Sequence, residues 1–363
     1  MRVGLIIYGS INTVTGGFIY DYKLVEYLRS QGVLVKIFSQ QEKNFFGLLG
    51  NNFSKKLLQD VIDFSPDILL EDELNCISLF LFNKKFKKIT NIPIISIVHL
   101  LQSNTKQKFL IKALIKKIEY LYLKSVTGFI FNSLATEKTV VDLIGKNNNS
   151  LVVYPGKDRL QLNISKEEIL LKFKDNKLMI IFVGNVLYNK GLHILLKALA
   201  KIDSNLWQLS VIGKLNVDLK YVKKIFNMIT QLRLENNVKF FGLLDIENLK
   251  TQLLLHHVLI VPSYYESYGI VYTEAMGAGL PVIACKVGGV PEIIDDHTNG
   301  FLITPGNSSI LQDKILKLLQ DQRLLKEMSL ASLATYQCMP SWTETMAKMY
   351  TFLQQNFIEV AKN

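Results

Sequence analysis

The sequence predicts an α/β fold built from two doubly wound domains, and three observations carry that prediction. Short apolar runs alternate with segments whose apolar residues recur every three to four positions, which is the signature of a parallel sheet covered by helices. The alternation halts at a polar stretch near residues 157–176 and then restarts. Finally, 363 residues, 49% of them apolar, exceed one ordinary core, so two domains of roughly 150–190 residues each fit the length.

In chain order, MRVGLIIYG is the first strand, a short apolar run ending in glycine, and GGFIYDYKLVEYLRSQG is the first helix by its spacing. Strands follow at VLVKIFS (33–39), PDILLED (66–72), PIISIVH (93–99), GFIFNS (128–133) and LVVYPG (151–156), with helix-like segments between most of them. Beyond the polar patch come KLMIIFVGN (177–185), WQLSVIG (207–213), VKFFGLL (238–244), HVLIVPS (257–263), LPVIACK (280–286) and GFLITP (300–305). From Ser308 onward the chain reads as helix. The expected domains are 1–160, 170–340 and a closing segment, 341–363.

Composition narrows the class. Glycine, proline and charge are near ordinary globular values, so long disorder is not expected. MRVGLIIYGS lacks a charged n-region and a cleavage site, and no run of about 20 uninterrupted apolar residues occurs. Cys76, Cys285 and Cys338 have no C-x-x-C spacing, and no histidine spacing resembles a metal cage. The expectation is a reduced, cytoplasmic chain without a structural zinc. The net charge of +11 gathers in one region: about ten lysines lie between Lys84 and Lys124 with a single acid, Glu119. KFLIKALIKKIEYLYLKSV (108–126) interleaves those lysines with large apolar residues. It reads either as a helix with a solvated lysine face or as one lying on an anionic bilayer, with Phe109, Ile111 and Leu114 dipping in. Nucleic acid is not expected, because no binding module accompanies the basic stretch.

Ligands of doubly wound sheets sit beyond the carboxyl ends of strands. The chemistry-bearing residues fall there: Gly16 and Gly17, Glu71, Asp72 and Glu73, His99, Asn185 to Lys190, and Glu266 to Gly269. Two such edges facing each other would make one cleft. In ESYGIVYTEAMGAGLPVIA (266–284), paired carboxylates invite a hydrolytic reading. A helix starting at Gly269 or Ile270 argues for a different one, because its unpaired N–H groups, Ile270 and Val271 among them, suit a phosphate. Gly269 lets the phosphate approach the backbone, Glu274 lies about one turn inside, and Glu266 lies ahead. The two carboxylates then flank a diphosphate. Glu71, Asp72 and Glu73 read either as a charged helix cap or as an acceptor-binding group.

E-S-Y-G-I-V-Y-T-E and its continuation AMGAGLPVIACKVGGVPEIIDDHTNGFLI resemble the E-x7-E pattern of retaining GT-B glycosyltransferases of the large family 4, the glycosyl transferases group 1. GG in the first loop, HL after the fourth strand, FNS, YPGKD, FVGN…KG and SWTETMAKMY extend the resemblance over most of the chain. It implies a GT-B fold and a nucleotide-sugar donor. It gives Glu274 the ribose, Glu266 and His99 the hexose near its reacting face, Lys190 the departing diphosphate, and Gly16 and Gly17 the donor phosphates. It also implies that SWTETMAKMY crosses back onto the first domain, anchored by Trp342, and that no divalent metal or other cofactor is required. Asn185 stands where the family usually has arginine, so one cation is missing at the diphosphate. LEDELN beside SLFLFNKK resembles bacterial members that glycosylate pterins. The expected function is therefore retaining hexosyl transfer from a nucleotide diphosphate sugar, UDP-sugar by default. The acceptor is a glycan or glycolipid, with peripheral contact through 84–124 at the inner membrane face. The competing readings are a glucosyltransferase acting on a small pterin, a GT-B enzyme of another reaction, and a nucleotide-sugar binder.

Overall fold

The computed structural model describes residues 1–13, 15–41, 43–104, 109–173 and 177–359, without the side chain of Phe109. The chain divides into two compact units, Met1–Gly156 with Pro340–Asn363, and Lys157–Met339.

The first unit holds strands β1 (Arg2–Tyr8), β2 (Leu34–Gln40), β3 (Ile68–Asp72), β4 (Ile94–Val98), β5 (Gly128–Phe131) and β6 (Ser150–Val152). They form one parallel sheet in the order β2-β1-β3-β4-β5-β6. β3 and β4 are buried at every position, which is why ILLED and IISIV show no alternation of polar and apolar residues. The chain steps outward from β1 to β2 and then returns to β3 on the other side. The carboxyl ends of β1 and β3 are thus a topological switch point, where doubly wound folds bind ligands.

Helix Gly16–Ser30 buries Phe18, Tyr20, Asp21, Leu24, Val25 and Leu28, an apolar stripe interrupted by one acid. Helix Trp342–Leu353, opened by a Ser341–Glu344 capping box, packs on it. Tyr20 meets Trp342 edge-on at 5.9 Å, and Tyr27 meets Tyr350 at 6.2 Å. Helix Phe109–Leu123 buries Ile115, Ile118, Tyr122 and Leu123 against the core. Its other face carries Lys112, Lys116 and Lys117, together with exposed Leu110, Ile111 and Leu114. Residues 105–108 of the lysine-rich stretch, and the Phe109 side chain, lie outside the described residues.

The second unit holds β7 (Leu178–Val183), β8 (Trp207–Ile212), β9 (Val238–Gly242), β10 (Val258–Val261), β11 (Val282–Cys285) and β12 (Gly300–Ile303). The parallel order is β12-β11-β10-β7-β8-β9. Here the chain reverses between β7 and β10, the dinucleotide-fold arrangement with its crevice at their carboxyl ends. The polar patch read as a joint contains a short helix, Lys166–Leu171, opened by a Ser165–Glu168 capping box. Its Ile169 is fully buried against Gly279, and Lys172 Nζ donates to the Ala278 carbonyl at 2.7 Å. The patch is therefore packed into the second unit.

Candidate functional site

In the second unit the residues expected at a donor gather at the β7/β10 switch point. β7 ends at Val183, and Gly184 and Asn185 lead into a 3₁₀ turn, Tyr188–Lys190, whose left-handed Gly191 opens helix Leu192–Leu199. β10 ends at Val261, and its loop runs to helix Ile270–Gly277. A hydrogen bond from Tyr264 N–H to the Asn189 carbonyl, 2.7 Å, ties the two loops. Across it Lys190 Nζ lies 2.6 Å from Glu266 Oε2, which also accepts from Ser263 Oγ at 3.3 Å. The pair is 22% and 15% exposed on its side chains, open enough for a ligand to reach both members. The Glu266 carbonyl accepts from Gly289 N–H at 3.1 Å, and a Cβ on Gly288 would sit 1.9 Å from it. These two glycines of CKVGGVPE hold the Glu266 loop from behind, a role that the sequence reading did not assign.

Gly269 is the N-cap of helix Ile270–Gly277, at φ 102°. A Cβ there would approach the Tyr272 ring to 2.4 Å, so both the backbone conformation and the space require glycine. The N–H groups of Ile270 and Val271 follow, at the end of the helix where no preceding turn supplies carbonyls. Glu274 lies in the same helix and is 3% exposed. Burial raises its carboxyl pKa, and the charge and hydrogen bond of Arg159 pull it back down. Arg159 Nε lies 2.5 Å from Glu274 Oε1. Arg159 belongs to the YPGKDRL stretch, where no sequence signal gives it a role. An arginine two residues past a turn motif shows no partner until the fold brings Glu274 to it.

Asn185 has a lysine as its neighbour. Its Oδ1 accepts from Lys214 N–H at 3.2 Å, and Val186 N–H donates to the Lys214 carbonyl at 3.0 Å. A lysine is thereby fixed by its backbone beside the asparagine, at the end of β8. His193, His256 and His257 are held internally. His193 Nδ1 lies 2.8 Å from Tyr221 Oη, and its ring stacks on Tyr188. His257 Nδ1 accepts from Met179 N–H at 3.2 Å, and burial pushes His256 down to about 4.

In the first unit His99 closes β4 with 6% of its surface exposed. Gly16 and Gly17 open helix Gly16–Ser30 and do not lie in a loop over a ligand. A Cβ on Gly17 would be 3.1 Å from the His99 ring, so the glycine gives the ring its place. Glu71, Asp72 and Glu73, read as a charged cap or an acceptor-binding group, are 0–1% exposed. Successive strand residues face opposite sides, which separates Glu71 from Asp72. Glu71 accepts from Asn83 Nδ2 at 3.0 Å, and burial raises it to about 7. Asp72 caps the following turn through Leu74 N–H at 2.9 Å. Glu73 Oε2 accepts from the N–H groups of His99 and Leu100 at 2.9 and 3.1 Å. One ligand-capable atom each of Asp21, Asp72 and His99 lies within 4.8 Å of the others. His99 Nε2 lies 3.1 Å from Asp21 Oδ1, a hydrogen bond that a proton satisfies.

Residues 164–332 match the family described as Glycosyl transferases group 1. An uncharacterized glycosyltransferase of Methanocaldococcus jannaschii is 30% identical over 57% of this chain and 54% of its own. The chain spans about half the length of the curated relatives it matches. Sucrose-phosphate synthase of Thermosynechococcus elongatus is similar in structure, with TM-score 0.84, 20% identity and full coverage of both chains. Anabaena HepE, solved with UDP and glucose, gives TM-score 0.78 at 21% identity over 98% of this chain and 100% of that one. At these identities the likeness establishes the fold, a two-domain α/β architecture of GT-B type.

Proposed function

We propose, on the premise that residues 164–332 are a group 1 glycosyl transferase domain, that this chain moves a hexose from a nucleotide diphosphate sugar to an acceptor with retention of configuration. The observation that carries the reading is the sequence of charges at the β7/β10 switch point. A cation, Lys190, lies against Glu266; open helix N–H groups follow at Ile270 and Val271; and a buried carboxylate, Glu274, is held by Arg159. That series suits a sugar, a diphosphate and a ribose in turn. A hydrolytic pair would need both carboxylates around a single bond, whereas here each carboxylate has its own cation.

When a donor binds, its diphosphate takes Lys190 and the helix N–H groups, and Glu266 turns to the hexose hydroxyls. As the sugar–phosphate bond breaks, the electron pair stays on the diphosphate, where Lys190 stabilises the growing charge. The acceptor oxygen forms the new bond to the anomeric carbon, and its proton passes to the departing diphosphate. Glu266 makes no covalent adduct in this scheme: it contacts the hexose hydroxyls, and the bond to the anomeric carbon is made by the acceptor oxygen. Glu274 accepts from the ribose hydroxyls. Within the first unit, His99 is the residue proposed for a sugar contact, and Gly16 and Gly17 offer helix N–H groups that suit a phosphate. The protein's own cations do the work that a divalent metal does in other nucleotide-sugar enzymes, and chelator is expected to leave activity unchanged. UDP is the default nucleotide, supported by the UDP and glucose named with the Anabaena HepE structure.

For the acceptor, the exposed face of helix Phe109–Leu123 favours a glycolipid at an anionic bilayer. Leu110 is 81% exposed and Leu114 47%, between lysines 112, 116 and 117, a distribution that suits an interfacial helix. The chain would then act in the cytoplasm at the inner membrane face. The test is a panel of nucleotide sugars offered with lipid, glycan and pterin acceptors, read for nucleotide release coupled to acceptor modification. Donor binding without transfer or slow hydrolysis across the panel would mark a nucleotide-sugar binder instead.

A further inference from the structure

His99 is fixed from every side. Its ring Nε2 lies 3.1 Å from Asp21 Oδ1, its N–H donates to Glu73 Oε2 at 2.9 Å, and its carbonyl accepts from Asn132 Nδ2 at 3.1 Å. The ring meets Tyr20 edge-on at 5.3 Å, and Tyr20 Oη donates to the Val153 carbonyl at 3.0 Å. Asp21 is the one acid on the buried stripe of helix Gly16–Ser30 and is itself 0% exposed. Burying a carboxylate is unfavourable unless it has a partner, and the partner here is the imidazole.

Resting on the reading of His99 as a residue that meets a sugar or phosphate group, we propose that Asp21 is a positioning residue. It holds the His99 ring through Nε2 and leaves Nδ1 as the nitrogen offered to a ligand, a hydrogen-bond donor to a sugar hydroxyl or phosphate oxygen. A carboxylate on one imidazole nitrogen sets both the ring orientation and the role of the other nitrogen.

The charges around the ring support that role. Tyr20 and Asp21 face it from the helix, Asp72 and Glu73 from the end of β3, and Cys76 lies beyond Glu73. Burial opposes a charged ring, but Asp21, by charge and hydrogen bond, and then Asp72 and Glu73 raise His99 to about 9. Both ring nitrogens then carry protons at neutral pH. Such a ring donates hydrogen bonds and cannot take the acceptor's proton, in keeping with a proton that leaves on the diphosphate.

The test uses the full chain with nitrogen-15 histidine labelling, His99→Gln for assignment, and kinetics from pH 6 to 8. In the native protein His99 should stay doubly protonated at pH 8, and kcat should be level across the range. In Asp21→Asn the ring should be neutral at pH 8. Its kcat there should fall at least about tenfold and partly recover at pH 6, with donor KM nearly unchanged, and Asp21→Glu should restore much of the loss. Three results overturn the proposal. Asp21→Asn could leave the His99 titration unaltered. The activity loss could be equal at every pH, with Asp21→Glu as impaired as Asp21→Ala, which is the mark of a purely structural residue. Or the native chain could take up one equivalent of manganese or zinc that Asp21→Asn and Asp72→Asn both lose, which makes the cluster a metal centre. The spectroscopic arm needs no substrate, so it stands or falls apart from the transfer reading.

Discussion

Lys190→Ala removes the cation at the position where leaving-group charge develops. An ammonium about 3 Å from a phosphate oxygen, at an effective dielectric of about 20, contributes roughly 5 kcal/mol per unit charge. The Lys190 side chain is 22% exposed, so solvent screens part of that, and much of the remainder is already present in the bound donor. What the transition state adds is about 3 kcal/mol, the usual loss for one such donor, or roughly 150-fold in kcat. The ion pair adds a second expectation. Without Lys190, the partly buried Glu266 carboxylate faces the donor diphosphate unpaired, so donor KM should rise as well. Lys190→Ala combined with Glu266→Gln should recover that KM but not kcat, and the two changes should be non-additive in a double-mutant cycle. The assay is initial-rate kinetics with a nucleotide-release readout and a fold check by circular dichroism. A folded Lys190→Ala with kcat within about threefold of native would refute the reasoning.

The other predictions follow from neighbouring contacts. Arg159→Gln leaves Glu274 buried without its cation. It should raise donor KM about tenfold or more with kcat little changed, and lower stability by about 3 kcal/mol in a urea titration; an unchanged KM would place the ribose elsewhere. Lys214→Ala should slow transfer if this lysine replaces the cation missing at Asn185, and Asn185→Arg introduced into that variant should restore the rate. Burial holds the Glu71 carboxyl above the ordinary carboxylate range, at about 7. The native state thus keeps a proton that the unfolded chain releases, and stability from this group is lost as pH rises from about 4.5 to 7. His256, pushed down to about 4, acts oppositely below pH 6.5. Glu71→Gln should accordingly raise stability at pH 8 by up to about 3 kcal/mol and leave it little changed at pH 4, as read from Tm against pH. Anionic vesicles should sediment the protein at low salt and release it at high salt, and Leu110→Glu with Leu114→Glu should abolish sedimentation.

The central strands among the described residues were legible because parallel strands buried on both faces leave continuous apolar runs such as IISIV and VLIV. The placement of Gly269, Glu274 and Lys190 beyond the ends of β7 and β10 was legible for a different reason, because each follows a strand-like run by a short offset. What escaped the sequence were residues whose partners are far away in the chain. Arg159 meets Glu274, Asp21 meets His99, and Lys214 meets Asn185 only once β-α-β crossovers are made. Glu71 misled because an acid at a strand end looks the same whether it faces a ligand or a core. Only its Asn83 partner, on the packed helix, distinguishes the two. The joint near 157–176 looked like a linker because its apolar residues are scattered among polar ones, yet Leu160, Leu162, Ile164, Ile169 and Phe173 are buried, with Ile169 seated against Gly279.

The central claim, retaining transfer driven by protein cations at a nucleotide diphosphate, is tested most directly by following the anomeric carbon. Purified chain would be given nucleotide sugars labelled with carbon-13 at that carbon, with the acceptor panel, and the products read by NMR alongside nucleotide release. The account predicts one nucleoside diphosphate released for each glycoside formed, with the product carrying the donor's anomeric configuration. An inverted anomeric centre, or glycoside formed without nucleoside diphosphate, would contradict it.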